Sequence, residues 1–168
     1  MKAKFLSVLL ALTMVLSLLP TAVLAKDKTV STEEELKQAI ESVGDGDTIS
    51  VSGTIEVNAP LVVTHTITLT GGSIVASNNF TSNSNQLADF NLISLKTAGK
   101  TLTLKNITLN ANGKSLVVYC NAGKVVVDGA TITGGKTSSY VAGVYMTSAS
   151  QFEMNSGSNT RSDVRDSF

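Results

Sequence analysis

From Thr48 onward, apolar and polar residues alternate with a period of two. Ile49 and Val51 alternate with Ser50 and Ser52, and Ile55 and Val57 follow. That period predicts short strands that turn one side to a core. One unit then recurs. Ile67-Thr68-Leu69, Leu102-Thr103-Leu104, Val125-Val126-Val127 and Phe152-Glu153-Met154 each set two apolar residues on one face. Two positions beyond each triplet stand Gly71, Asn106, Gly129 and Ser156. Gly and Asn tolerate a left-handed backbone at least cost, so a corner of one handedness is expected each time. Ile74, Leu109 and Ile132 then return to the core, while Asn159 breaks the pattern in the last copy. Further strands are predicted at Leu92-Ile93-Ser94-Leu95, Leu116-Val117-Val118-Tyr119 and Val144-Tyr145-Met146. A chain that keeps rebuilding a strand–corner–strand unit is expected to stack its units.

Only one segment has helical spacing. Leu36, Ala39, Ile40 and Val43 form an apolar stripe. Ser31 or Thr32 can cap its start, with Glu34 or Glu35 as the returning half of a capping box. Glu33, Glu34 and Glu35 fill the first turn, where the helix dipole favours negative charge. Gly44 is placed to end the helix in a left-handed cap. Asp45-Gly46-Asp47 then turns the chain into the first alternating strand.

The chain begins differently. Lys2 and Lys4 precede an apolar run from Phe5 to Leu19, Pro20 ends it, and Val23 and Ala25 supply small residues at an exit. Residues 1–25 are expected to be a signal peptide cleaved after Ala25. The alternative is an uncleaved anchor, but the apolar run falls short of the roughly 20 residues that a spanning helix needs. Export places the remainder outside the cell or on its surface, with no membrane association after cleavage. The expected domains are 1–25 signal peptide, 26–47 N-terminal cap with its helix, 48–157 strand repeats, and 158–168 an irregular or frayed tail.

Charge and composition narrow the partners. The whole chain carries 13 basic and 13 acidic residues. A balance near zero without a basic stripe argues against nucleic acid and against an anionic membrane surface. Cys120 is the single cysteine, so disulfides are not the source of stability; it is expected to pack inward beside Val118. Residues 77–91 are polar and turn-rich, and read either as a binding loop on a rigid scaffold or as an insertion without function.

The helix with its Thr32-Glu33-Glu34-Glu35-Leu36 start, the following Gly44-Asp45-Gly46-Asp47-Thr48-Ile49, and the later Gly143-Val144-Tyr145-Met146 and Phe152-to-Gly157 segments resemble right-handed parallel β-helix proteins of the pectate-lyase-like kind. The resemblance covers most of residues 30–157. It implies an all-β solenoid with an N-terminal capping α-helix, such as occurs in large secreted or surface-attached proteins of Gram-positive bacteria. It also implies that the helix covers one end of the core. No second cap is visible after Gly157. The tail therefore either frays, or the residues are the front part of a longer protein with further coils.

Enzymes of that family break acidic polysaccharides, with carboxylate clusters for Ca²⁺ and an Arg or Lys as base, or with paired carboxylates. Neither pattern is seen. Asp128 occupies a corner slot and reads as a solvated turn acid. Asp45 and Asp47 have calcium-like spacing without the remaining ligands, and read as turn-shaping residues. His65 sits between Thr64 and Thr66 as a surface residue. Arg161 and Arg165 lie in the tail. Tyr119, Tyr140 and Tyr145 offer a sugar-stacking face, or else Tyr119 and Tyr145 are half-buried strand residues. No catalytic, cofactor-binding or metal-binding residue is assigned and no cofactor is expected. The expected role is non-catalytic adhesion, display or contact with an extracellular polysaccharide or host-surface glycan. The alternative is the N-terminal portion of a polysaccharide lyase or glycoside hydrolase whose active coils lie elsewhere.

Overall fold

The computed structural model describes residues 26–86, 88–136 and 143–161. The expected signal peptide, Tyr140, Arg165 and the tail from 162 onward lie outside the described residues. The chain is mostly β, with one helix, α1 (Glu33–Ser42), among the described residues. The strands are β1 (Asp27–Val30), β2 (Asp47–Val51), β3 (Thr54–Val57), β4 (Leu61–Val63), β5 (Ile67–Thr70), β6 (Ser73–Ala76) and β7 (Asn91–Leu95). They continue as β8 (Thr101–Lys105), β9 (Thr108–Asn110), β10 (Leu116–Cys120), β11 (Lys124–Gly135), β12 (Val144–Met146) and β13 (Gln151–Arg161).

Every pairing between these strands is parallel. A nine-stranded sheet runs β1-β2-β5-β8-β11-β9-β6-β3, with β13 also on β11, and a four-stranded sheet runs β12-β10-β7-β4. Parallel neighbours need long crossovers. Here the crossovers are themselves strands: the chain passes through β3 and β4 between β2 and β5, and through β6 and β7 between β5 and β8. β11 joins two ladders, because its first half pairs with β8 and its second half with β9.

The alternating pattern becomes rows of like residues. Ile49, Leu69, Leu104 and Val127 stand in one register, as do Ile55, Ile74, Leu109 and Ile132. In the smaller sheet Val63, Leu95, Cys120 and Met146 form a third row. Apart from Met146, which is half-buried, all of these side chains are buried, and both sheets contribute to one core. Each fully buried aliphatic side chain contributes about 1.5–3 kcal/mol by leaving water. Cys120 is buried with its thiol free, as expected.

Helix α1 turns Leu36, Ala39 and Ile40 onto this core. Thr32 is its N-cap, accepting from the Glu35 N–H at 3.2 Å. The Glu35 carboxylate reaches back to the Ser31 N–H at 2.8 Å and the Ser31 hydroxyl at 3.0 Å. Its C-terminus corrects the sequence reading. Val43 is the C-cap in extended conformation, and the left-handed residue is Gly46 (φ 92), not Gly44. The cause is Asp47, whose carboxylate accepts from the Gly44 N–H at 2.9 Å and holds it in a turn.

The corners follow the pattern at Gly71 (φ 74), Asn106 (φ 48) and Gly129 (φ 76). In the last copy the left-handed residue is Gly157 (φ 109) instead of Ser156. β13 is also one uninterrupted strand that runs through the expected tail boundary to Arg161, because it follows β11 along its whole length across register shifts. Phe152 and Met154 are a second correction. They stand over Val125 and Val127 in register, yet they are 44% and 42% exposed. Among the described residues β13 pairs only with β11, so within them these side chains have a strand partner on one side alone. No helix among the described residues is long and apolar enough to cross a membrane.

Candidate functional site

The site begins with the four-stranded sheet. Strands β7 and β10 are buried along their whole lengths. In a strand with one wet face, every second residue would be exposed. Both faces of this sheet's middle strands are therefore covered. Val62, Ser94, Tyr119 and Tyr145 form a row on the face opposite the core. Val62, on the edge strand β4, is 46% exposed, whereas Ser94 is fully buried and Tyr119 is 9% exposed. The Tyr119 and Tyr145 rings stack with centroids 5.7 Å apart and planes 4° from parallel. Tyr119 is thus a packed strand residue, with Tyr145 half-buried beside it.

Residues 81–83 and 88–89 face the outer side of β4 and β7 across a groove. At the start of the 77–91 segment, the Ser77 hydroxyl donates to Asn58 Oδ1 at 2.6 Å, and the Thr81 N–H donates to the Asn58 carbonyl at 3.0 Å. Phe80 is 8% exposed and anchors this end in the core. Further on, Asn83 Oδ1 accepts from the Asn85 N–H at 3.1 Å, an Asx turn of the kind Asn favours. At the far end Lys96 Nζ, on the chain beyond β7, pairs with Asp89 Oδ1 at 2.7 Å. The segment is therefore held at both ends.

Between segment and sheet lies a groove of about 450 Å³. Pro60 and Val62 give it an apolar wall, Thr81, Ser82 and Asn83 a polar rim, and Asp89, Asn91, Ser94 and Lys96 the remaining polar lining. Asn91 is fully buried and donates from Nδ2 to the Ala88 carbonyl at 2.8 Å. Its Oδ1 has no hydrogen-bond partner, which no other buried side-chain polar atom among the described residues shares. An unmet buried acceptor costs about 1–3 kcal/mol.

The residues weighed for chemistry in the sequence lie apart from the groove. Asp47 accepts from the Lys26 N–H at 2.8 Å as well as from Gly44, and those two bonds hold its carboxyl below the usual range. Asp45 accepts from Lys100 Nζ at 2.6 Å and from the Thr66 N–H at 2.8 Å, which lowers it likewise. Both acids thus tie the helix-to-strand turn to distant strands. Glu153 pairs with Lys124 at 2.7 Å, and that bond lowers its pKa. Asp128 lies within β11, where the Ser156 hydroxyl donates to it at 3.3 Å. His65 sits half-buried on the bend between β4 and β5, its Nδ1 3.1 Å from the Thr64 hydroxyl. No three His, Cys, Asp or Glu residues gather into a metal-binding group among the described residues.

Three features of the site escaped the sequence reading. The covered outer face was signalled by the unbroken apolar run of β10, which does not alternate. The Asp89–Lys96 bridge and the Asn91 acceptor carried no local signal. Comparisons with protein-family models, with curated proteins and with solved structures gave no match to this chain.

Proposed function

We propose that the chain winds as a right-handed parallel β-helix capped at one end by α1. We further propose that it serves as a non-catalytic, exported segment of a bacterial surface or secreted protein that displays a glycan-contacting face. The crossover pattern supports the winding: apart from β1 and β2, which α1 separates, each strand pairs in parallel with one that the chain reaches only after passing through another ladder. A continuous inner column of Ile, Leu and Val is what such winding would bury. The observation that carries the non-catalytic reading is the use made of the acids. Asp45, Asp47, Asp89 and Glu153 each hold a backbone N–H or a lysine, so these carboxylates already serve the scaffold.

A second reading is favoured by the open edge of β13, with Phe152 and Met154 exposed. On that reading the chain is the front of a longer β-helix that acts as a polysaccharide lyase or glycoside hydrolase. An assay of pectin and polygalacturonate breakdown, with Ca²⁺ present, tests the primary reading. We expect no release of unsaturated or reducing ends; turnover would replace the non-catalytic role with the enzymatic one.

A further inference from the structure

We infer that the groove between the 77–91 segment and the four-stranded sheet is a subsite for a neutral, hydroxyl-rich saccharide and excludes uronates. The inference rests on the glycan-contact reading above and gives it a place and a ligand class. Three observations carry it.

The first is charge. Lys96 is the cation of the lining and Asp89 its anion, and they are joined at 2.7 Å. The groove therefore offers no free positive charge. A uronate carboxylate would have to take Lys96 from Asp89 and then lie beside the displaced carboxylate. A neutral sugar meets neither obstacle.

The second is the rest of the lining, which beyond that pair holds no further charged side chain; its polar members are Thr81, Ser82, Asn83, Asn91 and Ser94. Hydroxyl and amide groups both donate to and accept from sugar hydroxyls, whereas an ionised carboxylate finds no cation among them.

The third is shape and surface. A volume of about 450 Å³ falls within the range of about 300–1,000 Å³ that small-ligand sites occupy. Pro60 and the exposed part of Val62 make a small apolar wall that suits the C–H face of a pyranose ring. Thr81, Ser82 and Asn83 place short hydrogen-bonding groups along the rim. The segment that carries them is pinned at Asn58 and at Lys96, so the rim is preorganised.

The test is a titration of the full chain by isothermal calorimetry and ligand-observed NMR. The neutral probes are cellohexaose, xylohexaose and mannohexaose; the acidic probe is a galacturonic acid hexamer, all at millimolar concentrations. We expect at least one neutral hexamer to bind and the acidic one not to. Val62→Asp and Thr81→Arg, both at exposed positions, should weaken the neutral ligand at least about tenfold. Their thermal unfolding, measured alongside, should stay close to that of the parent chain. Asp89→Asn, which frees Lys96, should admit the galacturonate hexamer. Equal or tighter binding of galacturonate by the unaltered chain would overturn the inference. Neutral binding that persists in both Val62→Asp and Thr81→Arg would sink the groove but leave glycan contact standing. Absence of binding to any of the four sugars would sink both.

Discussion

Leu104 and Met154 occupy one inner row, separated by Val127 alone, and their truncation should have very different consequences. Leu104 is fully buried and lies in register between Leu69 and Val127. Removing its isobutyl group loses the transfer energy and leaves a cavity. Leu-to-Ala changes in cores cost about 2–5 kcal/mol, with the larger values where the site cannot collapse. The strands on both sides of Leu104 are fixed by ladder hydrogen bonds, so Leu104→Ala belongs in the upper part, about 3–5 kcal/mol. Met154 sits at the end of the row, 42% exposed, with Val127 on one side only. Its truncation opens no enclosed void and exposes only the half already shielded, which limits the loss to about 1.5 kcal/mol. Urea unfolding followed by circular dichroism reads the contrast. With a denaturant slope near 2 kcal/mol per molar, Leu104→Ala should lower the midpoint by about 1.5–2.5 M and Met154→Ala by well under 1 M. Equal losses for the two would refute the reasoning. They would mean that the β13 face is covered, or that the row through Leu104 is not the core.

Three further outcomes follow from the local geometry. Asp47 has a depressed pKa in the folded chain, so it stabilises the fold above its unfolded value of about 3.9, and that contribution is lost as pH falls through the folded value; Asp47→Asn should therefore flatten the acid limb of a stability–pH profile measured by thermal unfolding between pH 7 and pH 2. Thr32→Ala removes the acceptor for the Glu35 N–H and should cost about 0.5–2 kcal/mol in chemical denaturation. Gly72 has φ +40 and an added Cβ would run into the backbone oxygens of Gly53 and Val51, whereas Gly99 at φ +70 faces open space; Gly72→Ala should cost clearly more than Gly99→Ala, whose penalty of about 1–2 kcal/mol comes from the left-handed backbone alone.

What the sequence disclosed was the part of the fold written in nearest neighbours. Alternation at Ile67 and Leu69, or at Leu102 and Leu104, tells which face turns inward, since side chains on a strand alternate by geometry. The Gly71, Asn106 and Gly129 corners were legible for the same reason: a left-handed residue selects Gly or Asn locally. Phe152 and Met154 follow the same alternation and are nonetheless exposed. Alternation encodes a face but not a position in the order of strands, and among the described residues β13 pairs with β11 alone. Gly44 failed as a cap because Asp47 captured its N–H, and the same carboxylate holds Lys26, 21 residues away. No helix-end rule contains a contact of that range.

The groove was hidden by the same logic, and its hiddenness explains how it is built. A polar stretch such as residues 77–91 reads as a loop free to move. The strand beside it reads differently: Leu92, Ile93, Ser94 and Leu95 are all buried, so Ser94 faces a surface from which water has been removed. Leu92 and Val117 are buried as well, and each such side chain contributes about 1.5–3 kcal/mol by leaving water. The 77–91 segment is the piece of chain adjacent to β7, and Phe80 together with the Asp89–Lys96 bridge fastens it at either end. A segment fastened at both ends becomes a wall, and the gap it leaves over Val62 becomes a groove. Asn91, at the start of β7, is then sealed behind the Ala88 turn with one acceptor unmet. What the groove offers a ligand is therefore set by the Asp89–Lys96 pair on one side and by Pro60 and Val62 on the other, and Asp89→Asn and Val62→Asp probe these electrostatic and apolar halves separately.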